Sequence, residues 1–304
     1  MRWSLMIGLP WLCVCAASFA AQSVRLPAAL CAGSDSVFVD DFDASGLVPH
    51  DPSLGSGGPY PGNRHRTITV AGMGAQTYYL HIPAVYTPAQ SMPLLILLHG
   101  TAGSHSGADA QATSLRNYWS AASDRYGFIV MAVVSNGSQR GWLAPDGTGN
   151  PNDYDVIAAE LAHVEQIYNI ERSRVSLWGF SAGAFVAWDM LLNAQNYVQP
   201  TPLNASNLAA LATSSGNSNY ACGSQYGLCN SLFAALPRVV PVIMYMGNAD
   251  PRVTWAQADH QRLLANGWID GQTLSYNEFV GGHEFVAAQL APIGAFVCRY
   301  AKTL

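Results

Sequence analysis

Ser181, Asp250 and His283 are the side chains of this 304-residue sequence whose types and order could carry out acyl transfer. A serine hydroxyl is a weak nucleophile at neutral pH. It needs a base to take its proton, a group to orient that base, and donors to hold the oxyanion. Ser181 stands in Gly179-Phe180-Ser181-Ala182-Gly183, a G-x-S-x-G pattern between the strand-like "RVSLW" and the helix-like "AFVAWDML". A sharp strand–turn–helix bend there would strain the serine backbone and hold its Oγ out where it can react. The flanking glycines would let strand and helix pack with no side chain between them. The helpers are expected later in the chain, acid before histidine. Asp250 closes the apolar run "VVPVIMYMGNAD", and His283 follows a Gly-Gly turn in "VGGHEF". An aspartate before proline also suits a turn or helix N-cap, but the order of the residues favours the catalytic role. His260, in the middle of a predicted helix, and Asp189, within the helix after the serine, have no comparable setting. Glu284 is expected to cap the helix that follows it. One oxyanion donor is expected from the backbone N–H of Ala182, at the start of the helix. The other is expected from the loop "LHGTAGS", where Thr101 is the candidate and His99 reads as a residue that shapes the loop.

The surrounding pattern has to deliver these groups to one place. "RTITVAGMGAQTYYLHIP" alternates like a β-hairpin. "MPLLILLHG", "FIVMAVVS", "RVSLWGF" and "VVPVIMYMGNAD" are apolar runs of the kind buried in parallel sheets. Helical spacing marks "SLRNYWSAASDRYG", "DYDVIAAELAHVEQIYNI", "AGAFVAWDMLLNAQ", "WAQADHQRLLANG" and "PIGAFVCRYA". Strands alternating with helices predict an α/β domain whose mostly parallel central sheet is flanked by helices, a three-layer sandwich. His99, Ser181 and Asp250 each fall at the carboxyl end of a predicted strand, where reactive groups collect in such sheets.

Composition narrows the alternatives. Half of the residues are hydrophobic (50%), enough for one large core. Charged residues make up 11% and the net charge is −5, so there is no basic field for nucleic acid. Lys302 is the only lysine, which disfavours a Ser–Lys dyad or a Schiff base. "MRWSLMIGLPWLCVCAASFA" reads as a signal peptide over residues 1–20, with cleavage after Ala20. The mature chain is then exported, extracellular or periplasmic, with no membrane segment left. Residues 21–66 read as an acidic arm and a Gly/Pro/Ser linker. Asp35, Asp40, Asp41 and Asp43 suit a solvated arm packed by Phe38 and Phe42 better than a calcium site. Residues 67–304 are the expected catalytic domain, with 195–237 a lid or insertion. Four cysteines remain in the mature chain, and they allow three pairings. The short loop between Cys222 and Cys229 favours a local bridge, which leaves Cys31 for Cys298. No metal-ligand spacing is present. The sequence does not set the oligomeric state.

"LLHGTAGS", "NDYDVIAAELAHVEQIYNIERSRVSLWGFSAGA", "GNADPRV" and "GGHEF" resemble the exported polyhydroxybutyrate-depolymerase and feruloyl-esterase group of α/β-hydrolases over residues 76–304. The resemblance implies the α/β-hydrolase fold, a Ser–Asp–His triad and no cofactor. It also implies a tryptophan near the substrate in the loop before the "DD-V" helix, here Trp142. This chain has Asp153-Tyr154-Asp155 where the group often has Asp-Asp, and "HEFVAA" where the group usually has a Trp-containing stretch. Trp142 and Trp255 are candidates to wall an acyl or aromatic pocket; ordinary packing is the other reading of each. The expected function is a secreted serine carboxylic ester hydrolase acting on feruloyl, acetyl or similar soluble or oligomeric esters. The chain ends soon after His283, so no polymer-binding module is expected. The alternatives are a polyhydroxyalkanoate depolymerase, a serine peptidase on the same fold, and a non-catalytic binding module.

Overall fold

The computed structural model describes residues 24–25, 31, 50–137, 141–193, 203–222 and 226–302. The expected signal peptide and Asp35, Asp40, Asp41 and Asp43 lie outside these residues. The elements in order are β1 (Val24–Arg25), β2 (Gly62–Val70), β3 (Gly74–Ile82), β4 (Met92–Leu98), α1 (His105–Tyr126), β5 (Ile129–Val133), α2 (Asp153–Ile167), β6 (Ile170–Phe180) and α3 (Ala182–Asn193). They continue with β7 (Leu211–Ser214), α4 (Asn219–Cys222), α5 (Tyr226–Ala234), β8 (Val242–Gly247), α6 (Val253–Ala265), β9 (Leu274–Phe279), α7 (Leu290–Val297) and β10 (Tyr300–Ala301).

Among the described residues, eight strands form one sheet in the order β2-β3-β5-β4-β6-β7-β8-β9. The pairs β2–β3 and β3–β5 are antiparallel, and the pairs from β5 to β9 are parallel. The uninterrupted apolar runs arise because both faces of the sheet are covered. Leu94, Ile96 and Leu98 of β4 join one core layer with Ile129, Met131 and Val133 of β5, beneath residues of α2, α3 and α6. The intervening Leu95, Leu97, Val130 and Ala132 join the opposite layer under α1 and α7. Helix α1 supplies that layer with Ala108, Ala112, Leu115 and Trp119, spaced at one helical stripe. This is the three-layer α/β arrangement that the sequence predicts.

Three parts of the sequence reading change. First, part of the segment read as a lid at 195–237 is core: β7 lies in the sheet between β6 and β8, and all four of its residues are buried. Its residues, Leu-Ala-Thr-Ser, lack the branched apolar run that marks the other strands. Residues 194–202 and 223–225 are outside the described residues. Second, β9 closes the parallel edge in a stretch of mixed polarity, where only one of its six residues is buried. Third, residues 50–61 are not a free linker. Ser53 N donates to Ile170 O at 2.8 Å, and Tyr168 OH donates to Pro59 O at 2.9 Å. A Cβ on Gly55 would lie 2.3 Å from Tyr168 O, so glycine permits this close approach.

Cys31 is bonded to Cys298, and Cys222 to Cys229. Beside the first bond, the guanidinium of the half-buried Arg174 donates to Cys31 O at 2.7 Å and to Cys298 O at 2.8 Å. Burial lowers the Arg174 pKa to about 10, so it remains charged at neutral pH. The bond closes a span of 267 residues. Loss of such a bridge relaxes the unfolded chain, and Cys298→Ser is expected to lower stability by about 2–5 kcal/mol. Urea unfolding of the variant beside the oxidised parent checks this; equal midpoints would contradict it.

Candidate active site

The strand–helix junction is shaped by contact between backbones. A Cβ on Gly179 would lie 2.4 Å from Gly183 O, and one on Gly183 would lie 2.2 Å from Leu98 O. Only glycine allows β6, α3 and the end of β4 to approach this closely. Ser181 between them has φ +52°, a left-handed conformation that costs a non-glycine residue of order 1–3 kcal/mol. Its N–H donates to Ser214 O at 3.0 Å, so the adjacent strand β7 holds the bend in place.

Asp250 and His283 reach the serine from the ends of the next two strands. Asp250 follows β8 and is 2% exposed. Its Oδ1 accepts from Arg252 N at 2.9 Å. The histidine loop follows β9 and lies against β8: Asn248 N donates to Phe279 O, and Ala249 N donates to Gly281 O. A Cβ on Gly247 would lie 2.1 Å from Gly282 O, so this contact also depends on glycine. His283 Nδ1 donates to Asp250 Oδ2 at 2.6 Å. A carboxylate can only accept, so Nδ1 carries the proton and Nε2 of the neutral ring is an acceptor. Nε2 lies 2.7 Å from Ser181 Oγ and accepts its hydroxyl proton. The three residues therefore form one continuous hydrogen-bonded chain. Glu284 does not cap the following helix. Its Oε1 accepts from Gly282 N at 3.2 Å, and its carbonyl accepts from Ser215 Oγ at 2.7 Å, so it braces the histidine loop. His260 bonds to Asp270, and Asp189 accepts from Tyr154 OH; both lie apart from the chain of three.

Thr101 and Ala182 meet at Gly141. A Cβ on Gly141 would lie 3.4 Å from Ala182 Cβ and 3.7 Å from Thr101 Cα. Ala182 is the first residue of α3, so its N–H has no acceptor within the helix. A Cβ on Gly100 would lie 3.4 Å from Ser181 Cβ, which puts the Thr101 loop beside the serine. Trp142 is half-buried; its indole N–H donates to His99 O at 2.9 Å, and its ring lies 4.9 Å from that of His99. Its contacts thus brace the Thr101 loop. Trp255 sits on the first turn of α6 and is 39% exposed.

Two contributors escaped the sequence reading. Gly141 lies between the two oxyanion candidates, and its φ of +110° suits only glycine. Asp153 is fully buried at the start of α2, and its carboxylate accepts from Asn136 N, Asn136 Nδ2 and Leu143 N at 2.6–3.1 Å. It thereby ties both ends of the loop that carries Gly141 and Trp142. The capping box of Asn152 and Asp155 fixes the helix end from which Asp153 reaches. The sequence signal was an acidic pair beside an Asn N-cap, which marks a helix start but not a loop anchor.

His99 is buried. Its Nδ1 donates to Gly100 O at 2.6 Å, and its Nε2 accepts from Ser135 N at 3.2 Å. Burial lowers its pKa from 6.5 to about 4. The unfolded chain therefore binds a proton more readily than the folded one between these values. The stability from burying the neutral ring is complete above pH 6.5 and is lost as the pH falls toward 4, by about 3 kcal/mol. Urea unfolding at pH 7 and pH 4.5 measures this: a His99→Asn variant should lose less stability between the two pH values than the parent, and equal losses would contradict it.

The family described as Serine hydrolase (FSH1) matches residues 95–284, from β4 through His283. Among the curated proteins none matches the sequence. Solved structures of similar fold include the feruloyl esterase module from Clostridium thermocellum complexed with sinapinate. It is 15% identical, with a TM-score of 0.59 over 84% of this chain and 95% of that one. The S-formylglutathione hydrolase from Staphylococcus aureus is 14% identical, with a TM-score of 0.54 over 79% and 98% of the two chains. The hyperthermophilic esterase from the archaeon Pyrobaculum calidifontis is 14% identical, with a TM-score of 0.54 over 79% and 86%. These likenesses establish the α/β-hydrolase fold.

Proposed function

Because the chain belongs to the serine hydrolase (FSH1) family, we propose that it hydrolyses carboxylic esters through an acyl-enzyme on Ser181. The observation that carries this reading is the pair of contacts at 2.7 Å from Ser181 Oγ to His283 Nε2 and at 2.6 Å from His283 Nδ1 to Asp250. Ser181 Oγ attacks the ester carbonyl as His283 takes its proton. Asp250, buried and hydrogen-bonded, holds the ring in the required tautomer and stabilises the imidazolium. The N–H groups of Ala182 and Thr101 hold the oxyanion, and loss of one such donor costs about 3 kcal/mol of transition-state stabilisation. His283 then protonates the leaving alcohol. A water repeats the sequence on the acyl-enzyme, which regenerates Ser181 and releases the acid. The side chains supply every proton transfer, so the cycle uses no cofactor.

The substrates in this reading are soluble or oligomeric esters such as feruloyl or acetyl esters, with Trp142 and Trp255 beside the acyl group. A fold shared with a feruloyl esterase module is consistent with that class. Export through residues 1–20 accords with two disulfides, which persist in oxidising compartments.

Assaying a short-chain p-nitrophenyl ester, a methyl ferulate and a peptide p-nitroanilide side by side tests the reading. Turnover of the esters, with the anilide left intact, is expected. Cleavage of the anilide at a comparable rate would replace the esterase by a peptidase.

A further inference from the structure

Among the described residues, one cation next to Asp250 lacks an anionic partner. Arg252 lies two residues after Asp250, and its guanidinium carbon sits 5.8 Å from the centroid of the Phe185 ring. Phe185 is one helical turn beyond Ser181, and its N–H donates to Ser181 O at 3.1 Å. The Phe185 ring in turn lies 6.5 Å from that of Tyr220, nearly parallel to it. Arg252 and Phe185 thus approach the reacting serine along two routes, one through the triad acid and one through the nucleophile helix.

Other arginines with charged partners are accounted for: Arg172 meets Glu165 and Asp51, and Arg262 meets Asp259. Among the described residues, the Arg252 side chain has neither an ion pair nor a hydrogen-bond acceptor; its bonds are those of the backbone, from its N–H to Asp250 Oδ1 and to its carbonyl from Trp255 N and Ala256 N. A guanidinium over an aromatic face is held by attraction to the ring quadrupole, which leaves its in-plane N–H donors unused. Those donors match a carboxylate in a two-pronged geometry.

We infer that Arg252, Phe185 and Tyr220 form a subsite that binds a carboxylate on the ester substrate. The preferred substrates are then monoesters of dicarboxylic acids or esters of hydroxy acids. This rests on the serine-esterase reading above, and it names the substrate class of that same site.

The test compares charged and neutral esters of matched size. One pair, p-nitrophenyl hemiglutarate and p-nitrophenyl valerate, puts the carboxylate on the acyl side. A second pair, 4-acetoxybenzoate and its methyl ester, puts it on the alcohol side. In at least one pair the parent protein is expected to favour the charged ester by about tenfold or more in kcat/KM, with the preference falling as salt is added. Arg252→Gln is expected to reduce that charged-to-neutral ratio by a similar factor. The parent alone decides the matter if the variant does not fold. Hydrolysis of both members of each pair without preference, or a ratio unchanged by Arg252→Gln, overturns this inference and leaves the esterase reading standing. Hydrolysis of none of the esters overturns both.

Discussion

Ser181→Ala is expected to lower kcat/KM for a short-chain ester by about five to six orders of magnitude. The residual rate would come from binding and the oxyanion donors alone. The variant keeps the bend: the positive φ and the bond from its N–H to Ser214 O belong to the backbone, and the neighbouring glycines are unchanged. Alanine removes only Oγ and its bond to His283. Thermal unfolding near the parent's midpoint, together with the loss of turnover, would separate a missing nucleophile from a damaged fold. Turnover within tenfold of the parent would mean that another group attacks the ester.

The second large effect is expected at Asp250. Asp250→Asn keeps the size of the side chain but removes the carboxylate that accepts the Nδ1 proton of His283. An amide can present its NH₂ to that nitrogen, which favours the opposite tautomer and puts the proton on Nε2, facing Ser181. A fall of about four orders of magnitude in kcat follows from that reversal in a serine triad. The buried position of Asp250 makes rescue by solvent ineffective, because the site is closed on that side. Measured kcat with KM little changed is the expected pattern. A loss smaller than tenfold would show that His283 is oriented by something else.

The parts of the molecule that were legible in the sequence are those where one residue type answers one physical demand. Gly179 and Gly183 are needed because backbones touch, Asp250 closes an apolar strand, and His283 follows a Gly-Gly turn downstream of it. The unbroken apolar runs of β4 and β5 reported burial on both faces. The pattern failed where a demand is met by context. Strand β7 is short and made of small residues, and its neighbours β6 and β8 determine its place in the sheet. Strand β9 is a half-exposed edge with little apolar signal. The Gly- and Pro-rich stretch from His50 reads as a linker until its carbonyls and N–H groups are seen bonded to the α2–β6 junction. Gly141 acts through the close approach of its backbone to Thr101 and Ala182, and Asp153 through its carboxylate on Asn136 and Leu143, and no local spacing encodes those. Glu284 reads as a cap for the next helix, whereas its carboxylate turns back to Gly282 within its own loop. Arg252 is unremarkable in sequence and acquires meaning only once Phe185 lies beneath it.

The central claim is that Ser181 Oγ is the attacking atom. Treatment of the protein with a fluorophosphonate, which phosphonylates an activated serine, followed by mass spectrometry of the digested chain, tests it directly. One adduct is expected, on the peptide that carries Ser181, with none formed in a His283→Ala variant. A stoichiometric adduct on a different serine, with Ser181 unmodified and esterase activity lost, would contradict it.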